Sequence, residues 1–165
     1  MLSIPISKLC TSISTSTPNW GFRNFRPRPR LPPRVKALGY EVTTGVGRTG
    51  IVAVMKKTWT HSHASDRTGC LTVEEKTNLP FASKVVVKNA SGQSIPVMHA
   101  CGHDIHVSAW VGTARLMAKH KDRWHGTLVM VGQPAEEGGG GASAMLKDGL
   151  FYPFPPPGLR SLAAR

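Results

Sequence analysis

Between positions 99 and 106 the chain reads HACGHDIH: three histidines, a cysteine and an aspartate in eight residues. Thiolate and imidazole are borderline-soft donors suited to Zn²⁺ and its neighbours. Cys101 and His103 are one residue apart, so on extended backbone both side chains can point to the same side of the chain. A packed loop also accounts for such a cluster, and the spacing alone does not separate the two readings. His99, His106, His120 and His125 are expected to be surface or supporting residues, with His106 just inside a helix start. A second group follows in QPAEEGGGG, where Glu136 and Glu137 close an apolar run. Open α/β sheets hold ligands beyond the carboxyl ends of their strands. Two adjacent carboxylates there can divide the work, one binding a metal and the other taking a proton from the attacking water. Taken singly, the pair fits a solvated helix N-terminus, where glutamate is favoured by the helix dipole. With ACGHD one helix and one strand upstream, a joint site is the better reading.

The elements that must carry these residues are legible in two stretches. In VKALGYEVTTGVGRTGIVAVMK (35–56) a helix ends, Gly39 closes it, and strands YEVTT and GIVAVMK flank a glycine-rich turn. Apolar character recurs at SIPVMHA. In HVSAWVGTARLMAKH, the residues Val107, Trp110, Val111, Ala114, Met117 and Ala118 recur at three- and four-residue steps, which predicts an amphipathic helix packed on a core. GTLVMVGQP then reads as a buried strand, and EEGGGGASAMLKDGL as a glycine-rich entry to a further helix closed by Gly149. Strands alternating with helices predict an α/β layer architecture.

The 165 residues suffice for one domain with a real core. A net charge of +12 invites a nucleic-acid or membrane partner. Its distribution argues against both, since residues 1–34, 57–70 and 152–165 supply +9 of it. The remainder has eleven basic and eight acidic residues, and no basic helix or finger motif supports nucleic-acid binding. No apolar run approaches the roughly 20 residues of a membrane span. Cys10, Cys70 and Cys101 have no paired spacing, which points to a reducing, cytoplasmic setting. The N-terminus is Ser/Thr- and Arg-rich and free of acid, like an organellar transit peptide.

Four blocks in order, LGYEVTTGVGRTGIVAV, TVEEKTNLPFAS, VMHACGHDIH and GTLVMVGQPAEEGGGGASAML, resemble the metal-dependent amidohydrolases that include hippurate hydrolase, N-acyl-amino-acid deacylases and auxin-conjugate hydrolases. The match covers about 100 of the 165 residues, in 35–56 and 71–151. The resemblance implies an α/β fold, here part of a three-layer zinc-peptidase-like catalytic domain without its lid and dimerisation domain. It implies Cys101, His103 and Glu137 as metal ligands and Glu136 as general base. It also implies a divalent metal, zinc or manganese, two per site. The substrate class would be N-acyl amino acids, cleaved at the amide. The family dimerises through the lid domain.

Three stretches depart from the pattern. Residues 10–34 hold Ser/Thr and then alternating Arg and Pro where a helix with an HPEL-like motif is expected. KTWTHSHASDRTGC (57–70) stands where a strand with an acidic residue near the metals belongs, and YPFPPPGLRSLAAR (152–165) replaces a TRFP-type continuation. The plain expectation is disorder in 1–34, a polar loop at 57–70, an aberrant tail, and a sheet short of one strand. Codons able to encode residues 11–25, 58–70 and 152–161, moved by one base, can spell the family's segments at all three places. The inference is a frameshifted, truncated and inactive fragment. The rival readings are a metal-binding remnant without catalysis and a basic nucleic-acid-binding protein.

Overall fold

The computed structural model describes residues 31–56, 71–89, 91–136 and 140–152, together with the backbone of 61–67. The expectations for residues 1–30 and 153–165, and the placement of Glu137, lie outside the described residues.

Helix α1 (Leu31–Lys36) opens with Pro32 and Pro33 in its first turn, where the missing amide protons are not needed. Leu31 and Val35, one turn apart, are both buried. The helix thus begins four residues before the boundary expected at 34/35. Gly39 then closes the chain at φ 91°, its amide donating to the Lys36 carbonyl.

Strands β1 (Glu41–Val46) and β2 (Gly50–Lys56) form the expected antiparallel hairpin. On its far edge β2 pairs antiparallel with β6 (Thr127–Gln133), the run expected to be a buried strand. Strands β4 (Val86–Lys88) and β5 (Ser94–Pro96) make a separate small ladder. Helix α2 spans His103–Lys119 and helix α3 spans Gly141–Lys147.

Alternation along β2 and β6 divides the core in two. Ile51, Ala53, Met55, Leu128 and Met130 face one cluster with α1 and the Val107, Trp110, Val111, Ala114 stripe of α2. Val52, Val54, Val129 and Val131 face the other, with Met145 of α3 and Leu150. Both faces of the sheet are covered, which gives three layers and explains why these strands are apolar throughout rather than alternating.

One expectation is corrected. The polar segment HSHASDR forms β3 (His61–Arg67), in parallel register with β6 from His61 opposite Thr127 to Arg67 opposite Gln133. The sheet order is β1-β2-β6-β3, so the strand position expected to be empty is filled. The reason lies in the backbone. β6 offers an unpaired edge, and a proline-free segment can donate and accept along it whatever its side chains.

Tyr40 ties the first cluster together. Its hydroxyl donates to the Ala114 carbonyl at 3.0 Å, joining the entry to β1 with the middle of α2. Burial pushes this phenol up to about 12 from its ordinary value of 10.0. The folded state therefore holds the proton more tightly than the unfolded chain. Its contribution is complete below about pH 10 and is lost as pH rises towards 12. Tyr40→Phe is expected to lower unfolding free energy by about 1 kcal/mol at neutral pH. It should also flatten the fall in stability between pH 10 and 12; an unchanged alkaline profile in urea titrations would contradict this role.

Candidate metal centre

Gly102 decides where the HACGHDIH residues go. It adopts a left-handed conformation (φ 75°, ψ 11°) as the N-cap of α2, and its carbonyl accepts from the Ile105 and His106 amides. The backbone at 101–103 is therefore a sharp turn and not the extended segment the one-residue spacing suggests. As a result, Cys101 is exposed while His103, the first helical residue, is 2% exposed. Asp104 sits in the first turn, where the helix dipole favours a carboxylate. His106 is a supporting residue: its ring stands edge-on to that of His103, with centroids 5.7 Å apart and planes at 89°.

The second half of the site comes from the carboxyl end of β6. Beyond Gln133 the chain passes through the fully buried Pro134 and the nearly buried Ala135. Ala135 has φ 48°, in the left-handed region that an alanine seldom adopts. This turn brings the Glu136 carboxylate to His103, with Oε2 at 3.2 Å from Nε2. The histidine side chain is 3% exposed and the glutamate 27%, so the carboxylate is the member of the pair that solvent reaches. A protonated Nε2 donates to this oxygen, whichever charge state the ring holds.

The structure thus unites His103 and Glu136, two of the four residues that sequence reasoning selected. Cys101 lies at the preceding turn and is exposed. Glu137 lies outside the described residues. Among the described residues no three histidine, cysteine, aspartate or glutamate side chains are grouped so as to hold a metal ion. The donor types do fit one: imidazole, thiolate and carboxylate are the ligand classes zinc takes. Sequence reasoning did not find the roles of Gly102 and Ala135. The glycine following Cys101 was a visible signal for the first; nothing in the sequence marks Ala135.

The sequence pattern of Peptidase family M20/M25/M40 matches residues 70–159. The hippurate hydrolase of Campylobacter jejuni is 38% identical over 139 residues, which are 83% of this chain and 33% of that protein. IAA-amino acid hydrolase ILR1-like 4 of Arabidopsis thaliana is 51% identical over 54 residues, 33% of this chain and 12% of that one. Among solved structures, the YXEP protein of Bacillus subtilis, described as a dinuclear metal binding peptidase from the M20 family, superposes with a TM-score of 0.74 at 27% identity. That superposition covers 89% of this chain and 39% of the solved one. A three-layer α/β domain with an imidazole–carboxylate pair at a strand end is the class that fold and site define. The chain belongs to peptidase family M20/M25/M40. It spans about a third of the length of the hippurate hydrolase it matches.

No helix among the described residues is long and apolar enough to cross a membrane.

Proposed function

We propose that these residues form part of the active site of a metal-dependent amidohydrolase that cleaves N-acyl amino acids or related conjugates to a carboxylate and an amine. The observation that carries the reading is the Glu136 carboxylate 3.2 Å from the buried His103 imidazole. Cys101, His103 and Glu137 would hold a divalent metal, zinc or manganese. When bound, it would supply a lowered pKa for the attacking water and polarisation of the scissile carbonyl.

The remaining chemistry belongs to the chain. His103 is buried with its Nε2 on the Glu136 carboxylate. Ligation by Nε2 requires that nitrogen to be free of its proton. With a metal held at that nitrogen, His103 would no longer donate to Glu136, and the Glu136 carboxylate would be available. Glu136 then takes the proton from water and delivers it to the departing amine nitrogen, general-base work worth about 10²–10⁴-fold. Three protein donors are fewer than a two-metal site shares, so the 165 residues alone are expected to bind one metal weakly and to show no turnover. The three cysteines, which have no paired spacing in the sequence, support a reducing, cytoplasmic setting.

Residues 10–34, 57–70 and 152–165 are, on this reading, family sequence translated out of frame. The backbone pairing of β3 beside β6 supports a strand-coding segment at 57–70. Resequencing the source DNA through these codons should reveal single-base shifts that restore family sequence at all three places. Unaltered frames would sink that part of the account.

The catalytic assignment has its own test. In the frame-restored enzyme, Glu136→Gln is expected to lower kcat for N-benzoylglycine hydrolysis by at least about 10²-fold while metal content stays unchanged. Retained turnover would refute the base role. Loss of metal together with activity would move Glu136 among the ligands.

A further inference from the structure

The turn that aims Glu136 is held in a conformation its own residue disfavours. Ala135 is 4% exposed at φ 48°, and unlike an asparagine it has no polar side chain to support that backbone. Such a conformation persists only where its surroundings impose it. The surroundings here are the first residue of α3. A Cβ built on Gly141 would fall on the Pro134 carbonyl oxygen, and would lie 2.7 Å from the Pro134 carbonyl carbon and 3.4 Å from that of Ala135. The backbone of Gly141 is thus lodged directly against the two peptides that precede Glu136.

Helix α3 has no room to retreat from this contact. Its Met145 is 1% exposed and fills the space above the β1–β2 turn. A Cβ on Gly47 would meet Met145 atoms at 2.6–2.8 Å, and one on Gly50 would meet the Met145 methyl carbon at 2.8 Å. The Asp148 carboxylate adds a tie from the helix end, accepting from the Gly47 amide at 2.8 Å. With α3 pinned on that side, any atom added at Gly141 must displace the Pro134–Glu136 backbone.

We infer that Gly141 is a positioning residue for Glu136: its bare Cα, wedged between the pinned helix α3 and the Pro134 carbonyl, holds the left-handed turn at Ala135 that points the carboxylate at His103. The catalytic consequence rests on the hydrolase reading above, whereas the positioning itself requires neither metal nor substrate. A displacement of even about 1 Å at a reacting group can cost on the order of 10²-fold in rate. In the frame-restored enzyme, Gly141→Ala should therefore lower kcat by about that factor with KM unchanged.

The direct test uses the metal-free 165-residue chain and the ¹H–¹⁵N spectrum of its histidine rings. Glu136→Ala defines where the His103 Nε2 resonance lies without its carboxylate partner. Gly141→Ala is expected to move that resonance to the Glu136→Ala position while thermal unfolding remains cooperative. Gly112→Ala, whose Cβ would meet nothing within 4 Å, should leave it at the wild-type position. A wild-type His103 resonance in folded Gly141→Ala would overturn the inference. Should Gly141→Ala fail to fold, Ala135→Gly decides by the same spectrum. A wild-type resonance there supports Gly141 as the holder of the turn; a resonance at the Glu136→Ala position shows that Ala135 packing held it, and overturns the inference. These outcomes are independent of whether Glu136→Gln abolishes turnover, so either reading can fail while the other stands.

Discussion

A buried imidazole must find partners for its nitrogens, and the desolvation of its N–H is costly unless it does. His103 meets that requirement in part through Glu136, at 3.2 Å across the carboxyl end of β6. The pairing fixes two elements at once. Helix α2 has to begin at Gly102 and present residue 103 inward, and β6 has to end so that residue 136 turns back towards it. Sliding α2 by one residue would rotate the ring by about 100° and remove it from the carboxylate. The packing of Val107, Trp110, Val111 and Ala114 on the sheet is what prevents that slide.

The second cluster acts on the same point from the opposite face. Met145 sits against the glycines of the β1–β2 turn, and Gly141 sits against the end of β6. The hairpin, helix α3 and the turn that carries Glu136 are thereby linked by close backbone contacts that no larger side chain would allow. Gly141, at the end of the glycine run in PAEEGGGGA, is thus a packing requirement. Close packing of this kind passes small displacements on instead of absorbing them.

Much of this was legible in the sequence because the signals were periodic. The three- and four-residue steps from Val107 to Ala118 marked α2, and the apolar run at 127–133 marked a strand covered on both faces. Gly39 and Gly149 marked helix ends, and both have positive φ. The site residues were legible by type, through the thiol, imidazole and paired carboxylates. Their relative placement was not. One-residue spacing suggested a common side for Cys101 and His103, but a left-handed glycine stands between them, with Cys101 exposed and His103 buried. β3 escaped notice because HSHASDR has neither alternation nor β-branched residues; the open edge of β6 determines its pairing. Helix α1 begins inside a stretch whose prolines suggested disorder, because prolines are tolerated in a first turn.

The central proposal is that Cys101 and His103 belong to one metal centre beside Glu136. The most direct measurement is zinc K-edge X-ray absorption on the protein loaded with one equivalent of zinc. The account predicts one sulfur scatterer at about 2.3 Å together with nitrogen and oxygen at about 2.0–2.2 Å. A shell of nitrogen and oxygen alone would contradict it.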